Sequence, residues 1–76
     1  MYALGDMAEA ERFYLRALQA NPDYALAHLH LGQVYLQEHQ FQLAYQHLRK
    51  ALDLSKNQPE IQSMVQRLLH QYFGSS

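Results

Sequence analysis

The chain has 76 residues, 49% of them hydrophobic as in an ordinary globular domain, and six Lys and Arg against seven Asp and Glu. A domain of that length buries only about 60% of its unfolded surface. Its basic residues are adjacent only at Arg49-Lys50, which excludes the basic stripe of a nucleic-acid binder. With no Cys, neither a disulfide framework nor a thiolate metal site can form. The longest stretch free of Asp, Glu, Lys and Arg, Tyr24 to Gln37, falls short of the roughly 20 apolar residues that span a bilayer. Met1 to Asp6 shows no basic segment followed by an apolar core, so no signal peptide is read. The expectation is a soluble, cytoplasmic protein with no membrane or nucleic-acid partner.

In chain order, Gly5-Asp6 reads as a turn pair, with Asp6 as N-cap and Glu9 completing a capping box. Met7, Ala10, Phe13, Tyr14, Ala17 and Leu18 then recur at spacings of three and four, which predicts an amphipathic helix over about 6–20. It stops at Asn21-Pro22, because proline disfavours helical geometry in the residue before it. Asp23 is the expected cap of a second helix over 24–37. That helix is apolar around most of its circumference, so it must be covered on both sides. Gly32 lies inside it, where glycine costs about 1 kcal/mol against alanine, and this predicts a close approach by a neighbour near Ala44.

Glu38-His39-Gln40 is read as the turn into a third helix over 41–54. The third helix is apolar on one face only, at Phe41, Ala44, Tyr45, Leu48, Ala51 and Leu52. A fourth helix is expected over about 58–72, capped by Asn57 with Glu60, and Pro59 is tolerated in its first turn. Its inward side carries Ile61, Val65, Leu68, Leu69 and Tyr72, while Gln62, Ser63, Gln66, Arg67, His70 and Gln71 face outward. Such a polar outer face is what a terminal helix of a stack requires. Gly74 to Ser76 reads as a disordered tail.

Little in the chain supports catalysis or metal binding. His28 and His30 are two apart, about 200° around a helix, and no histidine has a second His, Asp or Glu four residues away. His28 is read as a packed ring and the other four histidines as surface residues. The hydroxyl nucleophiles are limited to Ser55, Ser63, Ser75 and Ser76, and there is no glycine-rich phosphate loop. No catalytic, cofactor or metal residues are assigned.

Shifted by 34 residues, the chain matches itself. Met7 falls on Phe41, Ala10 on Ala44, Arg16 on Lys50, Ala17 on Ala51, Leu18 on Leu52, Asp23 on Asn57, Leu31 on Val65 and Tyr35 on Leu69. A 34-residue helix–turn–helix period, with His28-x-x-Leu31-Gly32-x-x-Tyr35, Ala10-x-x-x-Tyr14, Ala44-x-x-x-Leu48 and a closing Pro22, resembles the tetratricopeptide repeat family from Met1 to about Tyr72. In that pattern Gly5-Asp6 corresponds to the usual inter-helix turn. His28 replaces the usual Trp, Leu48 an aromatic, Lys56 a second Pro and Gln66 a second Gly.

The resemblance implies an all-α, right-handed solenoid of about four antiparallel helices. Residues 1–22 would be the second half of a repeat, 23–56 a full repeat and 57–73 a capping helix, within one domain over 1–73. It also implies a scaffold for protein–protein interaction, with a peptide or partner helix in a concave groove. Residue by residue, that groove would be lined by Leu26, Leu29, His30, Gln33, Leu36 and Gln37, and from the last helix by Glu60, Ser63, Arg67 and His70. Leu29 and Gln33 stand where family members that clamp a carboxylate use Lys and Asn, which favours an apolar or mixed peptide. The competing reading is that Leu26, Leu29 and Leu36 serve packing alone. About one and a half repeats fall short of the three or so that usually stabilise an array. The open face at Ala10, Phe13, Tyr14 and Ala17 therefore suggests a homodimer, or else a fragment of a longer repeat protein.

Overall fold

The computed structural model describes residues 4–74, with side chains from Ala8 to Gly74. Four helices follow one another: α1 (Leu4–Ala20), α2 (Ala25–Gln37), α3 (Phe41–Leu54) and α4 (Pro59–Phe73). Every regular element among the described residues is a helix. The connections are three or four residues long, which obliges successive helices to run antiparallel. α2 packs against all three others, and α3 packs against α4.

Four of the eight buried core residues come from α2: Leu29, Leu31, Tyr35 and Leu36. α3 adds Ala44, Leu48 and Ala51, and α4 adds Val65. Among the described side chains of α1, Tyr14 and Leu18 are half-buried against this core. Leu29, Leu31, Leu48 and Val65 are fully enclosed, so the core is centred on the α2–α3 hairpin and closed from one side by α4.

Gly32 is the close contact between α2 and α3. A Cβ built there would lie 2.6 Å from Leu48 Cδ2 and 2.7 Å from Leu48 Cγ, closer than carbon atoms pack, and 3.5 Å from the Ala44 carbonyl. The expected neighbour, Ala44, is present, but the tighter constraint is the side chain of Leu48. The turn after α2 closes with the Gln40 N–H donating to the Tyr35 carbonyl at 2.8 Å and the His39 N–H to the Leu36 carbonyl at 3.1 Å. This is a Schellman motif, and its left-handed position, at φ 62°, is occupied by His39 rather than by glycine.

Three expected helix starts are corrected. α1 already includes Leu4, Gly5 and Asp6, so Gly5-Asp6 is not a turn and Asp6 is not a cap. Leu4 extends the spacing-of-three row through Met7, and a helix tolerates one internal glycine. Asp23 does not cap α2; the N-cap is Tyr24, with no side-chain hydrogen bond. Asn21-Pro22-Asp23-Tyr24 instead forms a turn, in which the Tyr24 N–H donates to the Asn21 carbonyl at 3.1 Å. The Asp23 N–H donates to Asn21 Oδ1 at 3.2 Å, as asparagine side chains do at turns. Likewise Gln58, not Asn57, precedes α4, because the Gln58 N–H closes a turn onto the Ser55 carbonyl at 2.9 Å. Of the expected tail, Gly74 ends α4, and Ser75 and Ser76 lie outside the described residues.

Candidate functional site

α2 and α4, 34 residues apart in register, carry the predicted groove residues. On α2, Leu26, His30 and Gln33 are half-buried and Gln37 is exposed. On α4, Glu60, Ser63, Arg67 and His70 are exposed. Leu29 is completely enclosed and Leu36 is 6% exposed, so both belong to the core. Both lie in one buried cluster with Ala44, Leu48 and Ala51 of α3 and Val65 of α4. Leu26 packs at the margin of the core and keeps part of its surface. His70 lines a different hollow of about 230 Å³, with Tyr45 and Arg49 of α3, Leu69 and Phe73 of α4 and Gly74 after it.

His30 is not a plain surface residue. Its ring stacks on Tyr14 of α1, with centroids 4.8 Å apart and planes 15° apart, and Tyr14 meets Phe13 edge-on at 5.4 Å. This stack joins α1 to the exposed side of α2. Phe13 itself is 66% exposed, and with Glu9, Arg12 and Arg16 it borders a depression of about 340 Å³ on α1.

The expectation that His28 is packed holds, but His47 is not a surface residue. It is half-buried on α3, and its Nδ1 lies 3.1 Å from His28 Nδ1. His28 Nε2 donates to the Pro22 carbonyl at 3.0 Å. Its neutral Nδ1 is then an acceptor, which makes His47 Nδ1–H the donor. Burial, followed by the charge of His28, pushes the His47 pKa below its ordinary 6.5. The signal for this pair is the hairpin itself: a chain folded back at Glu38–Gln40 sets its two arms side by side, and each arm carries one of these histidines.

A second polar link crosses the helices. The Tyr35 hydroxyl donates to Glu11 Oε2 of α1 at 3.1 Å. Burial and this neighbouring carboxylate raise the Tyr35 pKa above 10.0. Ser55, weighed as a possible nucleophile, is fully buried, and its hydroxyl donates to the Leu52 carbonyl at 3.3 Å. It closes the end of α3. Among the described residues there is no group of three or more His, Cys, Asp or Glu that could hold a metal ion. No helix there is long and apolar enough to cross a membrane.

The arrangement is therefore that of a helical-repeat module, four successive antiparallel helices packed around α2. Residues 1–68 match the family model described as tetratricopeptide repeat, and the chain belongs to that family. No match was found among curated proteins or among solved structures. The family is one of protein–protein interaction scaffolds, typically without enzymatic activity.

Proposed function

We propose that the protein binds a peptide segment or partner helix along the side shared by α2 and α4. The observation that supports this reading is that Leu26, His30, Gln33 and Gln37 of α2, and Glu60, Ser63 and Arg67 of the adjoining α4, keep part or most of their surface exposed. Amide, imidazole, carboxylate and guanidinium groups around one leucine suit a mixed peptide, anchored by an apolar residue and read by hydrogen bonds. Cytoplasm, a reducing compartment, suits a chain with no cysteine. The test is selection of displayed peptides on the immobilised protein, followed by titration of the best one into isotopically labelled protein. Chemical-shift changes should cluster at His30, Gln33, Gln37 and Arg67. Changes confined to α1 would overturn the reading.

A second reading is favoured by one specific observation, the 66% exposure of Phe13. In the 34-residue register, Ala10, Phe13 and Ala17 of α1 occupy the positions of Ala44, His47 and Ala51, with which α3 receives α2. α1 thus presents a helix-receiving face, and a second copy can cover it about a two-fold axis. Covering about 300–400 Å² of such surface is worth at most roughly 7–10 kcal/mol. Sedimentation should show a dimer at about 100 μM, a concentration at which even modest affinities are populated. A strict monomer there, cooperatively folded, would rule this out.

A further inference from the structure

The His28–His47 pair is a built feature that peptide binding does not use. It joins three parts of the fold: the α1–α2 connection through the Pro22 carbonyl, α2 through His28, and α3 through His47. His28 is 9% exposed, and the two ring centroids are 5.3 Å apart with planes 32° apart. The pair stands where the repeat pattern otherwise puts bulk alone, since His47 falls in register with the aromatic Phe13.

With both rings neutral, one Nδ1–H donates to the other Nδ1. With one added proton, an N–H⁺···N hydrogen bond still joins them, because one nitrogen remains an acceptor. With two added protons both Nδ1 atoms carry hydrogen, and two donors and two positive charges face each other at 3.1 Å. The contact then has no acceptor and must open. We propose that this pair is a proton-operated latch, closed with up to one added proton and open with two, tying the α1–α2 connection and α3 to α2.

The ionisable groups around the latch do not neutralise it. Tyr35 of α2 lies beside His47, ring centroids 5.5 Å apart, and is uncharged at neutral pH. Glu11 of α1 accepts from the Tyr35 hydroxyl. Asp23 in the connection, Glu38 after α2, and Arg49 and Lys50 farther along α3 are exposed, as are Glu60, Arg67 and His70 of α4. The charge that acts on His47 is that of His28. A histidine whose folded pKa is lowered contributes stability that is complete above about pH 6.5 and lost as the pH falls below that value. The latch thus opens on acidification below the ordinary histidine range.

The test is an imidazole-nitrogen NMR titration of the wild-type protein from pH 8 to pH 4.5, with His39 and His70 as exposed internal controls. At pH 8, His28 should be the Nε2–H tautomer and His47 the Nδ1–H tautomer. As the pH falls, the second protonation of the pair should come below the control titrations, and the amides of Asp23, Tyr24 and Gln46 to Leu48 should shift with it. In parallel, His47→Gln should flatten the fall in Tm between pH 7 and pH 5. If that variant does not fold, the wild-type titration alone decides. Two histidines that titrate independently, in step with the controls and without coupled amide shifts, would overturn the latch.

Discussion

α2 and α4 occupy the same place in successive units, 34 residues apart, yet they have opposite surroundings. Leu31 and its counterpart Val65 are both fully buried, so the inward side of the two helices is the same. The other sides diverge. Enclosed Leu29 corresponds to exposed Ser63, buried Leu36 to exposed His70, and Gly32 at the tight crossing to exposed Gln66. Where glycine lets α3 come close to α2, α4 carries the longer side chain of Gln66. The polar residues of α4 thus stand, exposed, at the positions where α2 is buried.

The sharpest way to break this comparison is to truncate matched positions. Leu29→Ala should cost about 2–5 kcal/mol, as buried leucines do, whereas Ser63→Ala should stay within about 0.5 kcal/mol. Equal losses in chemical denaturation would mean that α4 is covered on its outer side as well. The crossing gives the next largest contrast. Gly32→Leu must displace Leu48, which has no free space, and should cost about 1–3 kcal/mol, while Gln66→Leu should be near neutral. An unchanged melting temperature for Gly32→Leu would make the glycine incidental.

Tyr35 and its counterpart Leu69 sharpen the comparison chemically. Tyr35→Phe removes the hydrogen bond to Glu11 and should cost about 1 kcal/mol. Since the folded state holds the Tyr35 proton more tightly than the unfolded chain, its contribution is complete below about pH 10 and fades as the pH rises beyond that. The wild type should therefore lose more stability than Tyr35→Phe between pH 9 and pH 11, and parallel curves would refute the assignment. The smallest effect lies at the end of α2. His39→Gly should stabilise by up to about 1 kcal/mol, because glycine adopts the left-handed conformation without penalty. Destabilisation would indicate that the edge contact of His39 with Phe41, at 5.8 Å, outweighs that relief.

Much of the architecture is legible in the residues because it rests on periodicity. The apolar row of α3 from Phe41 to Leu52 and the all-round apolarity of α2 give helix number, order and layering, and Gly32 gives the crossing. The helix starts are harder, since they depend on which of two adjacent hydrogen-bonding arrangements wins. Asn21 and Ser55 close turns with groups that a capping pattern assigns to Asp23 and Asn57. The candidate site is least legible. Leu29 and Leu36 follow the groove pattern, but in this chain both are buried in the core cluster. His47 reads as surface on its own helix, and only the folded hairpin brings it to His28.

The central claim is that α2 is held by all three other helices, while α1 and α4 each keep an open side. Residue-resolved native-state hydrogen exchange tests it most directly, since local opening free energies follow burial and contact. The account predicts the slowest exchange at Leu29 to Leu36 of α2 and at Leu48 to Leu52 of α3. α4 should exchange faster at Ser63 and Gln66 than α2 does at Leu29 and Gly32, and α1 faster still around Phe13. Uniform protection across all four helices, or α4 outlasting α2, would contradict it.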